Sequence, residues 1–178
     1  MEKNALAAMI ALSATRPEGV WPEQLDLTAF GTIIGEFSPA ARRITRLADA
    51  REIRDAIAGI LLDQTDEHAA AQLDRLVSEH AIVPTVAAQS IGFRSLRSDP
   101  RSLVWSELLP PLMTAVATGR RHDIRRCASA PCITPFLAAS AETAREYCCV
   151  RCATRDRVRR HRANTTASSN SVRTKHRE

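Results

Sequence analysis

Residues 127–162 of the chain read CASAPCITPFLAASAETAREYCCVRCATRDRVRRHR. All five cysteines of the 178-residue chain lie in the first 26 positions of this stretch, as a pair and a triplet: Cys127 and Cys132, then Cys148, Cys149 and Cys152. Zinc binds four thiolates in a tetrahedron, and two close groups of cysteines about 20 residues apart are typical of a structural zinc site. The stretch therefore predicts a small module that folds around one Zn²⁺ ion.

The spacing alone leaves the third zinc ligand open between Cys148 and Cys149. Cys149 and Cys152 have the spacing most common in zinc knuckles, whereas Cys148 lies one residue further away. His161 is a possible substitute ligand, although its position in a basic run favours a surface role. An odd number of cysteines favours a metal site or free thiols over a disulfide framework. We expect the metal to supply much of this module's folding free energy, and its removal to leave the preceding helices largely folded.

The 126 residues before the first cysteine are predicted to be mainly helical. Hydrophobic residues make up 44% of the chain but aromatic residues only 4%, so the core must consist of Leu, Ile, Val and Ala. Apolar spacing, capping residues and breaks predict helices over residues 4–14, 26–37, 38–63 (with a possible break near Asp49), from Thr65, and from Asp99 to Gly119. Pro110 and Pro111 should kink or split the last of these helices.

Two short β-like runs, Ile82–Val86 and Ile91–Leu96, predict one hairpin within this helical region. The expected fold is therefore mainly α: a helical N-terminal domain with a small β-hairpin, followed by a treble-clef-like zinc module. The predicted boundaries are residues 1–119 for the helical domain, 120–163 for the zinc module and 164–178 for a polar, disordered tail. The longest apolar run is too short to span a membrane, so we expect a cytoplasmic protein.

Charge is distributed unevenly along the chain. Residues 1–118 hold 11 Lys and Arg against 15 Asp and Glu, a net charge of −4, whereas residues 119–178 hold 14 against 5, a net charge of +9. Such asymmetry indicates a polyanionic partner for the C-terminal part. The candidate nucleic-acid-binding residues lie on one predicted helix: Arg151, Arg155, Arg157, Arg159, Arg160 and Arg162. Some of them are instead expected to neutralise acidic residues of the module, Asp156 above all.

The module resembles the CGNR zinc finger, which lies at the C-terminus of bacterial proteins that carry a helical ABATE domain. The matching residues are, in chain order, Arg125-Arg126-Cys127, Cys132, Phe136, Arg145-Glu146-Tyr147-Cys148 and Cys152-Ala153-Thr154-Arg155. Ala153 and Thr154 depart from the glycine and asparagine of the family's name, and the second cysteine pair is one residue closer than usual. The resemblance implies Cys148 as the third ligand, and thus the set Cys127, Cys132, Cys148 and Cys152.

The resemblance also implies a transcription regulator that binds DNA through the zinc module. The helical domain would then sense a small-molecule effector or form a homodimer. Two alternatives remain: a zinc-held module that binds an acidic protein partner, and a thiol redox switch that uses the fifth cysteine. An enzyme is not expected, because an all-cysteine zinc site has no open position. His68 and His80 lie on a polar helix, where they are expected at the surface.

Overall fold

The computed structural model describes residues 2–17, 22–87, 90–132, 134–138 and 145–174. These residues form six α-helices: α1 (Glu2–Ser13), α2 (Leu27–Ile34), α3 (Leu47–Leu61), α4 (Asp66–Glu79), α5 (Pro100–Ala117) and α6 (Val150–Thr174). Two antiparallel pairs of strands complete the fold: β1 (Ile82–Ala87) with β2 (Ser90–Ser95), and β3 (Ile124–Arg126) with β4 (Pro135–Leu137). No helix in the described ranges is long and apolar enough to cross a membrane. The fold is mainly α with one small cysteine-rich module, as predicted.

Local capping explains where three of these helices begin. The side chains of Asp26, Thr65 and Asp99 accept hydrogen bonds from backbone N–H groups in the first turns of α2, α4 and α5. Each bond satisfies a donor that has no partner within the helix, which stabilises the helix by about 1 kcal/mol. At the other end of α5, Gly119 adopts a left-handed conformation with φ of 69°. A residue with a side chain is strained in this conformation, so glycine ends the helix at little cost.

Helices α1 to α5, with the β1–β2 hairpin, form the helical domain around one apolar core. Its largest fully buried side chains recur at spacings of three and four residues along each helix, which places them on one face. They include Leu6, Met9 and Leu12 of α1, Ile53, Ile57 and Ile60 of α3, and Trp105, Leu108, Leu109 and Leu112 of α5. In the β1–β2 hairpin, Ile82 lies opposite Ser95 and Val86 lies opposite Ile91. The hairpin packs against α5 through β2. This hairpin confirms the strand prediction.

Three regions differ from the sequence-based expectations. The Ser38 side chain makes no capping hydrogen bond, because its hydroxyl donates a 2.5 Å hydrogen bond to Glu107 of α5. Only a short 3-10 helix (Pro39–Arg43) follows Ser38, and α3 begins at Leu47. α5 continues through Pro110 and Pro111, where buried leucines on both sides of the prolines hold it in place.

The third difference lies at the C-terminus. The tail that was expected to be disordered is helical through Thr174, and no glycine or proline interrupts residues 150–174. Residues 175–178 of the predicted tail lie outside the described residues.

The β3–β4 pair, which we call the ribbon, joins the helical domain to the cysteines. Ile124 belongs to the main apolar core, and Leu137 packs against the same core. These two residues are direct partners in the ribbon, and β4 contacts α1. Just before the ribbon, the buried guanidinium of Arg121 pairs with Asp66 and donates a 2.7 Å hydrogen bond to the carbonyl of Asp63. The zinc module is thus attached to the helical domain by both apolar and charged contacts.

Candidate metal centre

Four cysteines come together from three parts of the zinc module. Cys127 directly follows β3 and extends the ribbon, since its N–H donates a 3.1 Å hydrogen bond to the carbonyl of Thr134. Cys132 lies at the end of a tight turn that is closed by a 2.6 Å bond from its N–H to the carbonyl of Ser129. Cys148 lies just before α6, and Cys152 lies in the first turn of that helix. Each ligand position is therefore held by backbone hydrogen bonds or by a helix start.

The distances among the four sulfurs fit a tetrahedral zinc site. All four Sγ atoms lie within 4.8 Å of one another. The Sγ atom of Cys148 lies 3.8 Å from that of Cys132 and 3.6 Å from that of Cys152. A Zn–S bond of about 2.3 Å in a tetrahedron places neighbouring sulfurs about 3.8 Å apart. Three of the thiols are buried and Cys148 is half-buried. The cluster is a single structural zinc site, closed by four sulfur ligands.

The fifth cysteine lies beside this cluster rather than in it. Cys149 is exposed, and its Sγ atom lies 3.9 Å from that of Cys148. Its carbonyl accepts hydrogen bonds from the N–H groups of Cys152 and Ala153, so its backbone begins α6. The geometry thus favours Cys148 over Cys149 as the third ligand. His161 is exposed on α6 and lies outside the cluster.

The pKa values of the thiols determine how zinc binding depends on pH. Burial raises the pKa of Cys148 far above its ordinary value and the pKa of Cys152 to about 12. Burial also acts on Cys132, but hydrogen bonding to Thr134 outweighs it and lowers the pKa of Cys132 to about 7. At neutral pH a divalent ion must therefore displace protons from at least two thiols. Zinc binding should release protons, and its affinity should fall as the pH falls.

A small apolar cluster supports the cysteines. Phe136 is buried beside three of the sulfur ligands, Tyr147 packs against the same cluster, and the guanidinium of Arg145 lies 5.9 Å from the centre of the Phe136 ring. Phe136 and Tyr147 both lie between Cys132 and Cys148 in the sequence, a position that favours contact with the zinc ligands. Leu137, the next residue after Phe136, packs on the core of the helical domain instead. Adjacent residues of a strand point to opposite faces, which explains the difference.

Asp156 is the buried acidic residue of the module, and its charge is compensated as predicted. Only 4% of its surface is exposed. Its carboxylate accepts a 2.9 Å hydrogen bond from the Tyr147 hydroxyl and pairs with Arg159 at 2.5 Å and Arg160 at 3.0 Å. The Tyr147 hydroxyl and these arginines hold the pKa of Asp156 below its ordinary value. Arg159 and Arg160 thus have a structural role within the module.

The six candidate arginines of α6 fall into two groups. Three of the six are bonded inside the module: Arg155, Arg159 and Arg160. Arg155 donates hydrogen bonds to Ser129 and to the sulfur of Cys152. The remaining candidates, Arg151, Arg157 and Arg162, have exposed side chains. Arg159 and Arg160 are also exposed, although they pair with Asp156. Sequence spacing placed all six on one helix but could not reveal the role of Arg155, because Ser129 lies 26 residues earlier in the chain.

His80 is not at the surface, contrary to the expectation from its polar helix. It lies at the end of α4, only 4% exposed, and its Nδ1 atom is 2.9 Å from the Ser102 hydroxyl. That hydroxyl donates to Asp99 at 2.7 Å, so Nδ1–H must donate to Ser102, and Nε2 is left as an acceptor. His68 is exposed, as expected, and pairs with Asp63. His80 and Trp105 line a cleft of about 650 Å³ between α3, α4 and α5.

Comparison with known protein families supports the assignment of the zinc site. Residues 124–165 match the family model of the CGNR zinc finger. The match contains the ribbon, all five cysteines and the basic first half of α6. It begins where the ribbon begins and does not include the helical domain. A comparison with curated proteins gives no match to the chain.

Proposed function

We propose that the chain is a DNA-binding regulator whose zinc module presents α6 to double-stranded DNA. The observation that carries this proposal is the exposure of α6 beyond the zinc site. Every residue from 157 to 165 is exposed, and the helix continues to Thr174. The exposed surface of residues 157–165 is accessible to a partner. From Arg157 to Thr174 the helix is about 27 Å long at 1.5 Å per residue, enough to cross the width of a major groove.

The composition of α6 favours duplex DNA over single strands. The helix contains seven arginines and a single acidic residue, Asp156, whose charge is already compensated within the module. It contains no aromatic residue on which a base could stack. Proteins that bind single strands rely on such stacking, whereas arginine on a helix can pair with phosphates or with guanine in the major groove. A reduced thiolate site and chromosomal DNA both fit a cytoplasmic location.

Arg157 and Arg162 are the residues we propose for phosphate contact. Both are exposed on the part of α6 that extends away from the zinc site. Arg151 is also exposed, but it lies next to Cys152, so its substitution could disturb the metal. Replacing Arg157 and Arg162 therefore tests DNA contact with the least risk to the zinc site.

The test compares two double variants with the same loss of charge. Zinc-loaded wild-type protein, Arg157→Gln/Arg162→Gln, and a control, Arg43→Gln/Arg75→Gln in the helical domain, are titrated against a random-sequence DNA duplex between about 50 and 200 mM salt. We expect the wild type and the control to bind with a steep salt dependence. The α6 variant should bind more weakly, with a slope smaller by about 2, since each lost phosphate contact removes about one unit. Absence of DNA binding by the zinc-loaded wild type would refute the proposal.

The same purified protein distinguishes an acidic protein partner from DNA. A partner that is recovered on the wild type after nuclease treatment, and lost with the α6 variant but not the control, would show that α6 binds protein instead. In that case the duplex titration should show no binding, so the two readouts cannot both support DNA.

A redox switch has one specific observation in its favour, the exposed thiol of Cys149 beside the ligand Cys148. Hydrogen peroxide would oxidise one thiol to a sulfenic acid with release of water, and attack by the other sulfur would form a disulfide with release of a second water. Loss of a ligand thiolate would then free the zinc ion. Zinc release on peroxide treatment that is much slower in Cys149→Ser than in the wild type would support this second function, and equal rates would exclude it.

A further inference from the structure

Arg155 bridges the two halves of the zinc site. It lies one turn after Cys152 on α6 and is half-buried. Its Nε atom donates a 3.2 Å hydrogen bond to the hydroxyl of Ser129, and its Nη2 atom lies 3.4 Å from the carbonyl of Ser129 and 3.5 Å from the Sγ atom of Cys152. Ser129 is fully buried in the turn between Cys127 and Cys132. One side chain thus connects the second ligand group to the turn that carries the first.

The charge of the site explains why a guanidinium is suited to this position. Four thiolates around one divalent zinc ion carry a net charge of −2, in a cluster with three buried sulfurs. A fixed positive charge beside a ligand sulfur offsets part of that charge, and an N–H donor reduces the electron density on the sulfur. Groups that hydrogen-bond to metal ligands typically change metal affinity by about 10- to 100-fold.

We propose that Arg155 is a positioning residue of the zinc site: it fixes the Cys127–Cys132 turn against α6 and donates to the sulfur of Cys152, and it is not a DNA contact. The proposal rests on the zinc site alone and does not require the chain to bind DNA. It also divides the arginines of α6 by function, since Arg157, two residues further on, is exposed and makes neither of these contacts.

The first experiment measures the rate at which a chromophoric chelator removes zinc from the full-length protein. Arg155→Lys keeps the positive charge but cannot bridge Ser129 and Cys152, whereas Arg157→Lys makes the same chemical change at an exposed position. We expect Arg155→Lys to release zinc about 10 times faster than the wild type or more, and Arg157→Lys to release it at the wild-type rate. Equal rates for the wild type and Arg155→Lys would overturn the proposal.

The second experiment separates donation to the sulfur from simple bracing of the turn. With Co²⁺ in place of zinc, the sulfur-to-cobalt charge-transfer band reports electron density on the ligand sulfurs. Arg155→Met should move this band to longer wavelength, because a hydrogen bond to Cys152 is lost. Ser129→Ala removes one brace but leaves that bond, so its band should stay in place while its metal release becomes faster. An unchanged band in Arg155→Met would overturn donation to Cys152. If Arg155→Met does not fold, the same measurement is made on Arg155→Lys.

DNA binding provides the third readout. Zinc-saturated Arg155→Lys should bind duplex DNA with the affinity and salt slope of the wild type, unlike Arg157→Gln/Arg162→Gln. A lower affinity or a smaller slope at full zinc occupancy would show that Arg155 contacts DNA, against the proposal. If the wild type binds no DNA, the proposed function fails, while the zinc-release and cobalt results still decide the role of Arg155.

Discussion

The helical domain and the zinc module reach a folded state by different physical means. In the helical domain, side chains from five helices, the ribbon and the connecting segments form one apolar core. In the zinc module, the corresponding cluster consists of Cys127, Cys132, Phe136 and Cys152, with Tyr147 and Cys148 at its edge. Four buried residues remove too little apolar surface from water to offset the entropy of ordering the chain. The helical domain therefore depends on packing and the zinc module on a metal ion.

The ribbon belongs to both parts, so they are not independent. Directly opposed residues of an antiparallel pair point to the same face. Ile124 and Leu137 are such a pair and face the helical core, whereas Phe136, the next residue along β4, lies in the cysteine cluster. The ribbon therefore has one face in each core. A change that affects only one core should leave the other intact, and a change at a buried residue of the ribbon should affect both.

Removal of zinc should have the largest effect, because structural zinc contributes on the order of 10 kcal/mol to folding. We expect chelation to abolish hydrogen-exchange protection in the ribbon and in the first turns of α6, while α3 and α5 stay protected. Loss of β4 from its contact with α1 should still lower the stability of the helical domain. Unprotected α3 amides after chelation would contradict the separate origin of the two cores.

The matched pair of variants for this effect is Cys127→Ser and Cys149→Ser. Elemental analysis should find one zinc ion per chain in the wild type and in Cys149→Ser, and none retained in Cys127→Ser. Loss of zinc from Cys149→Ser would show that the third ligand is Cys149 rather than Cys148.

Truncation of the helical core comes next. Trp105 is the largest fully buried side chain among the described residues, and Trp105→Ala should lower the free energy of unfolding by about 3–5 kcal/mol through lost burial and a cavity. Urea denaturation of the zinc-loaded protein measures this loss. Val86→Ala serves as control, since Val86 is 86% exposed and should cost less than about 0.5 kcal/mol. Zinc stoichiometry should stay at one in both variants, and its loss in Trp105→Ala would show that the two cores are not separable.

A change in the ribbon should be smaller but should reach both parts. Ile124→Ala removes a buried side chain from the helical core and should cost about 2 kcal/mol of stability. It should also weaken zinc binding in a chelator competition, because Cys127 follows the ribbon by one residue. Arg125→Ala, at the exposed neighbouring position, should change neither quantity. A stability loss without any change in zinc affinity would show that the ribbon does not couple the two parts.

The features that could be predicted from sequence are those whose causes lie close together in the chain. The N-caps Asp26, Thr65 and Asp99 act within three residues, and the hairpin follows from two short apolar runs. The cysteine spacing identified the metal and four of the candidate ligands. In each case, elementary stereochemistry or zinc coordination fixes the local arrangement without reference to the rest of the fold.

The features that sequence did not predict depend on partners far along the chain. Ser38 has the spacing of a cap, but Glu107 accepts from its hydroxyl across 69 positions. Arg155 has the spacing of a basic surface, but it donates a hydrogen bond to Ser129, 26 positions earlier. Leu137 is as near to the cysteines in sequence as Phe136, but the register of β4 places it in the other core. Long-range pairing of this kind leaves no periodic pattern in the sequence.

The smallest expected effect concerns pH and His80. Burial lowers the pKa of His80. The charges of Arg101 and Arg97 also lower it, whereas those of Glu79 and Asp99 raise it without cancelling the effect of burial. The folded state therefore binds a proton less readily than the unfolded state, whose histidine has a pKa of about 6.5. The helical domain should thus be most stable above this value and lose stability as the pH falls from about 7.5 towards 5.5.

Urea denaturation of zinc-loaded protein at both pH values measures the loss. His80→Gln has no ring to titrate and should show a smaller loss, whereas His161→Gln, changed at an exposed position of α6, should behave as the wild type. The same pH dependence in His80→Gln and the wild type would place its origin elsewhere, and would show that the core of the helical domain does not discriminate against a charged His80.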